Sequence, residues 1–203
     1  MGRETHLRAR LARDGDFPTF VRDLAASPKS DNDPHGLIAD FSVAQWKGDY
    51  AAADRALSDP RFGEIYRQST VNVFPTSLLR AQIAWLDGRK ADSVRHAEAA
   101  LQTMSSWKSN PRQQYFDLMT RARAEAFAGR TEEALRNARD ALAAQERSDL
   151  YMLEEHQIIF ARLCVVIGRN EEAISALRAT IPLAPQVRPP LRGNHPLLQP
   201  PLA

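Results

Sequence analysis

A single cysteine, Cys164, in 203 residues excludes an intramolecular disulfide and any zinc site built from several thiolates. Long apolar runs are also missing. No stretch approaches the roughly 18 uncharged residues of a membrane span, and the opening MGRETHLRARLARDGDF has no apolar core of signal-peptide length. No membrane insertion by this chain is expected. A cytoplasmic location is the expectation, or a periplasmic one if a membrane segment precedes it. Charge of one sign is lacking as well: 27 basic against 25 acidic side chains leave a formal +2. That balance is too even for the basic footprint of a nucleic-acid binder, so no nucleic acid is expected among the partners.

Catalytic signatures are absent too. The chain holds no GxSxG, GxxxxGKS/T, GxGxxG or HExxH. Its histidines, His6, His35, His96, His156 and His195, show no metal-ligand spacing, and Glu154-Glu155-His156 reads as a solvated helix face. Cys164 lies in the apolar run IIFARLCVVIG and reads as a buried small hydrophobe. No catalytic residue, cofactor or metal is expected, and the chain is not read as an enzyme.

What remains is a helix-forming composition, with 31 alanines and 23 arginines against 4 lysines. Five of the nine glycines, Gly15, Gly48, Gly88, Gly129 and Gly168, each separate two helix-patterned stretches, at intervals of 33, 40, 41 and 39 residues. A residue just past a helix commonly adopts the left-handed conformation that glycine reaches without steric cost. Asp49, Thr131 and Asn170 follow as N-cap candidates, and Glu132-Glu133 and Glu171-Glu172 place negative charge on a first turn. Ala81, Ala122 and Ala161 stand seven residues before their glycines, with Phe41 in the earlier unit. Ala53, Ser93, Ala134 and Ala173 stand five residues after. Small side chains at both places let antiparallel helices approach closely. Strand patterning is nearly absent, and Val71 to Phe74 reads as an extended connection.

The small residue, the glycine seven later, the small residue five beyond it and the apolar pair ending the second helix (Ala100-Leu101, Ala141-Leu142, Thr180-Ile181) resemble the tetratricopeptide repeat. Pro185 falls where that repeat closes. The resemblance covers about residues 33 to 185. The period exceeds the roughly 34 residues of that repeat, so extra length is expected near Arg61 to Thr76 and Met104 to Pro111. Other helical-repeat families with a period near forty share the same stacked helix pairs. The fold expected is all-α, a right-handed superhelical solenoid of about five antiparallel hairpins. Residues 1–32 read as a divergent N-terminal hairpin acting as a cap, 33–182 as four repeat-like helix pairs, and 183–203 as a proline-rich tail. The tail segment PPLRGNHPLLQPPLA resembles the LRG-x-P ending of repeat regions in bacterial signalling proteins, though Asn194 and His195 precede its Pro196. That second resemblance implies an alternative, a regulatory or sensory region of a larger transcription regulator, kinase or cyclase.

In such repeats the first helix of each pair lines a concave groove. Six residues before the glycines stand Ser42, Gln82, Arg123 and Arg162, a polar lane on otherwise apolar helices. Three residues before them come Gln45 and Trp85, and Phe116 lies thirteen before Gly129. These residues form the candidate partner-binding groove. They suit a protein or peptide partner, in particular an extended or acidic segment held by arginine forks and aromatic anchors. The oligomeric state is not legible in the sequence.

Overall fold

The computed structural model describes residues 16–26, 34–67, 73–107, 114–146 and 153–180. Nine α-helices run through them: α1 (Phe17–Ala25), α2 (Pro34–Trp46), α3 (Tyr50–Ala56), α4 (Thr76–Leu86), α5 (Lys90–Ser105), α6 (Gln114–Phe127), α7 (Thr131–Glu146), α8 (Leu153–Val166) and α9 (Asn170–Thr180). A 3-10 turn (Pro60–Phe62) and strands β1 (Ile65–Arg67) and β2 (Val73–Pro75) fall between α3 and α4. The chain is all-α in this sense. The partner helix expected before α1, and Gly15 with it, lie outside the described residues, as does the tail 183–203.

Four helix pairs, α2–α3, α4–α5, α6–α7 and α8–α9, pack within themselves. Each second helix also packs on the first helix of the following pair, and α4 touches α6 as α6 touches α8. Every pair closes in the same way. Gly48, Gly88, Gly129 and Gly168 hold φ between 72° and 78°. At Gly88, the glycine N–H donates to the Trp85 carbonyl and the Arg89 N–H donates to the Ala84 carbonyl. Those two bonds form a Schellman closure. The same pair of bonds recurs at the other three glycines, with Asp49, Arg130 and Arg169 in the place of Arg89.

The residue after each glycine then starts the next helix. Asp49 does so with its side chain, which accepts from the Ala52 N–H at 2.9 Å. Arg130 and Arg169, not Thr131 and Asn170, offer the first helical carbonyl, to Ala134 and Ala173. Thr131 and Asn170 therefore sit one residue inside the helix, because the residue closing one helix is also the first cap of the next. The arginines at this position reach sideways to neighbouring acids: Arg89 to Asp87 at 2.7 Å, Arg130 to Glu98 at 2.6 Å and Arg169 to Glu132 at 3.5 Å. These pairs are exposed, and each is worth little alone.

Small residues sit where the helices cross. Ala53, Ala81, Ser93, Ala122, Ala134, Ala161 and Ala173 are all buried, and the Ser93 hydroxyl donates to the Ala81 carbonyl across the α4–α5 crossing at 3.0 Å. Phe41 fills the corresponding place in α2, facing the same core as Ala53.

The extra length between α3 and α4 is built structure rather than a plain connection. β1 and β2 pair antiparallel, with Tyr66 opposite Phe74. Phe62, Tyr66 and Phe74 are buried in a chain of tilted rings, with centroids 5.0 and 5.7 Å apart. The Thr76 N–H donates to the Glu64 carbonyl at 2.9 Å, which fastens the start of α4 to this insert. Alternation over so short a run did not announce a strand, because its partner and the buried ring cluster are supplied by tertiary packing.

Gly88→Ala should cost about 1–2 kcal/mol through the left-handed φ alone, since no atom lies within 4 Å of the added Cβ. Urea unfolding measures it, and an unchanged midpoint would contradict the closure described. Phe62→Ala should cost more, about 3–4 kcal/mol for a truncated buried ring, read from the same unfolding curves.

Candidate functional site

The repeat register places Gln82, Arg123 and Arg162 on successive first helices, α4, α6 and α8. Arg123 Nη2 donates to Gln82 Oε1 at 2.9 Å, a side-chain bond between residues 41 apart in sequence. Arg123 is partly buried on a helix whose neighbours Ala122 and Ala124 are fully covered. Withdrawal from water pushes its guanidinium down to about 10; the nearby charge of Arg162 adds to this, and Tyr115 opposes it. Arg123 therefore stays a cation at neutral pH, next to a second cation and hydrogen-bonded to a neutral amide. Among the described residues neither Arg123 nor Arg162 makes an ion pair. Eight other arginines do, among them Arg80 with Asp54 at 2.7 Å and Arg139 with Glu172 at 2.9 Å.

The remaining expected groove residues separate into two groups. Trp85 is half-buried between pairs, its ring centroid 6.2 Å from that of Phe127. Phe116 packs partly buried against a core formed by residues of α6, α7, α8 and α9, edge-on to Tyr115 and to His156. Both are anchored on α4 and α6, the helices that carry Gln82 and Arg123. Ser42 and Gln45 are partly exposed on α2, and no side-chain hydrogen bond or ion pair joins them to the other three among the described residues. Of the expected lane, a side-chain hydrogen bond joins Gln82 to Arg123 alone among the described residues.

His156 corrects the expectation of a solvated Glu154-Glu155-His156 face. It is 2% exposed and stacks on Tyr115 with ring centroids 3.7 Å apart, joining α6 to α8. The spacing carried a signal for this: His156, Phe160 and Leu163 fall on one helical face, and the latter two are core residues. Glu125 is a further buried polar group, its carboxylate accepting from Asn137 Nδ2 at 2.7 Å. Burial raises the carboxyl of Glu125, and the Asn137 bond acts against that rise.

No group of three or more metal-ligating side chains occurs among the described residues, and none of their helices is long and apolar enough to cross a membrane. Cys164 is fully buried, and burial, with Glu172 adding, pushes its thiol up to about 11. Set against protein-family models, curated proteins and solved structures, the chain finds no match. The tetratricopeptide resemblance accordingly rests on the residues and helix pairing alone.

Cys164 should resist a disulfide reagent such as DTNB at mildly alkaline pH in the native protein and react fully once guanidinium unfolds it. Rapid modification of the folded chain would mean that α8 does not bury the thiol.

Proposed function

We propose that the chain is a non-catalytic binding module whose first helices line a groove, in a repeat solenoid like that of the tetratricopeptide family, for an extended, acidic protein segment. One observation carries the proposal: Arg123, partly buried on a first helix and hydrogen-bonded to Gln82, has no carboxylate partner among the described residues, and the charge of Arg162 on the next first helix is near enough to act on it. A partly buried cation left unpaired lowers stability, and sequences usually resolve this with an acid or an apolar side chain. An external carboxylate would complete the pair. Arginine suits this task because its planar fork holds a carboxylate through two parallel hydrogen bonds. Gln82 helps by accepting from one guanidinium nitrogen of Arg123, which fixes the rotation of the fork and leaves its other donors for a partner. Trp85 and Phe116 add apolar surface on the same helices, so that side chains flanking the acid could be held as well.

The opposing effects of one substitution on stability and binding provide the test. Arg123→Met keeps the length of the side chain and removes the unpaired charge, so it should stabilise the fold by about 1 kcal/mol and raise the melting temperature. Retention of glutamate- and aspartate-rich peptides on an array should fall at least tenfold in the same variant and in Arg162→Met. Arg136→Met, on the exposed side of α7, should leave retention unchanged. Because Arg123 is a cation below about 10, wild-type retention should hold at neutral pH and weaken as pH rises through that value. If Arg123→Met destabilises the protein and keeps the peptides, the guanidinium is a structural element and the groove lies elsewhere.

A further inference from the structure

The α6–α7 pair differs from the others at one place in the repeat register. Four residues before the glycine and eight after it, α2–α3 has Ala44 and Ala56, α4–α5 has Ala84 and His96, and α8–α9 has Cys164 and Ala176. In α6–α7 the two residues are Glu125 and Asn137. They meet across the pair, with Asn137 Nδ2 donating to Glu125 Oε2 at 2.7 Å, and Glu125 is 7% exposed. Its backbone is fixed as well, because the Glu125 carbonyl accepts from the Arg130 N–H in the closure at Gly129. Alanine or cysteine serves at these places in α2–α3 and α8–α9, so the shared closure does not call for a buried acid. Among the described residues no cation forms an ion pair with Glu125. A carboxylate so placed costs stability while it is charged, since withdrawal from water penalises the charged form and a neutral amide offsets only part of that.

We propose that Glu125 and Asn137 form a proton-operated clasp, which holds α6 against α7 more firmly as the carboxylic acid than as the carboxylate. The step takes one proton from solvent onto a carboxylate oxygen and breaks no bond. The remaining carbonyl oxygen of the acid still accepts from Asn137, so the bridge between the helices is kept while the buried charge is removed. Charged groups act on Glu125 from its own helix, from the turn and from α7. Arg121 and Arg130 favour the carboxylate, and Glu133 opposes it. Arg130 is itself bonded to Glu98 of α5. Burial is the largest influence, and it sets the carboxyl of Glu125 above the ordinary glutamate value. An acid raised by folding contributes stability that is complete below its unfolded value, about 4.3, and is lost as pH rises through the folded one. Asp59, held down to about 2 by the side-chain bond from Arg61, acts in the reverse sense. The clasp therefore opposes the general loosening of a folded chain in acid, and it does so at the pair that carries Arg123.

Melting of the full-length chain as a function of pH tests this. Glu125→Gln keeps the shape of the side chain and an acceptor for Asn137, and it has no proton to take up. It should melt above the wild type at pH 7, by about 3 °C, and the margin should shrink as pH falls toward 4. The double variant Glu125→Ala with Asn137→Ala restores the residues of the α2–α3 pair, and the wild type should gain on it over the same range. A difference that stays constant or widens toward pH 4 in both variants overturns the proposal. Carbon-13 resonances of labelled glutamate give a second, direct readout. The Glu125 carboxyl, assigned by its loss in Glu125→Gln, should titrate with a midpoint above the roughly 4.3 of a free glutamate. In Asn137→Ala the midpoint should be higher still, because the bond that favours the charged form is gone. A wild-type midpoint at or below the free value, or one that fails to rise in Asn137→Ala, overturns the proposal as well. Neither measurement uses a binding partner, so the clasp and the groove reading stand or fall separately.

Discussion

The left-handed glycine at the turn of each pair is the constraint on which the rest of the structure depends. Gly48, Gly88, Gly129 and Gly168 share one backbone conformation and one pair of closing hydrogen bonds. A closure repeated with the same bonds turns the chain from the first helix into the second in the same way each time. Residues at equal distances from the glycine then take equivalent places. That is why the alanines and Ser93 at the helix crossings are all buried. It is also why Gln82 and Arg123, 41 residues apart, are close enough to bond.

Length is accommodated without disturbing this closure. The interval from Gly48 to Gly88 takes up its additional residues as a 3-10 turn and a two-stranded ladder, whose rings Phe62, Tyr66 and Phe74 join the core of the neighbouring helices. The insert is thereby made part of the first core, with Thr76 tied to Glu64. Between α6 and α8 the stacked Tyr115 and His156 do comparable work inside the second core, and nearby Phe116 packs against both rings. The two cores differ in character, one sealed by a ring cluster in an insert and the other by an aromatic stack between first helices.

Charge is distributed in two ways over this frame. Arginines on the outer side, such as Arg130 and Arg139, find acids of the neighbouring pair and are ordinary surface ion pairs. Arg123, on a first helix, donates instead to the uncharged amide of Gln82. Of the arginines without an ion pair among the described residues, Arg123 is distinguished by being partly buried on a first helix and by its bond to an uncharged amide.

Helix pairing was legible in the sequence, since a glycine stop and an adjacent start are local backbone physics that needs no distant residue. The small residues at the crossings and the buried Cys164 were legible for the same reason, as fixed offsets and an apolar run. The cap at Thr131 and Asn170 was misplaced by one residue, because the Schellman closure makes Arg130 and Arg169 serve two helices at once. The β1–β2 ladder, the burial of His156 and the bond between Gln82 and Arg123 were decided only by tertiary structure. Each depends on which side chain a different helix or strand brings opposite, and contacts between residues tens of positions apart leave no local mark. The sequence by itself therefore determined where the chain turns and which faces are apolar, and packing decided which polar groups found partners.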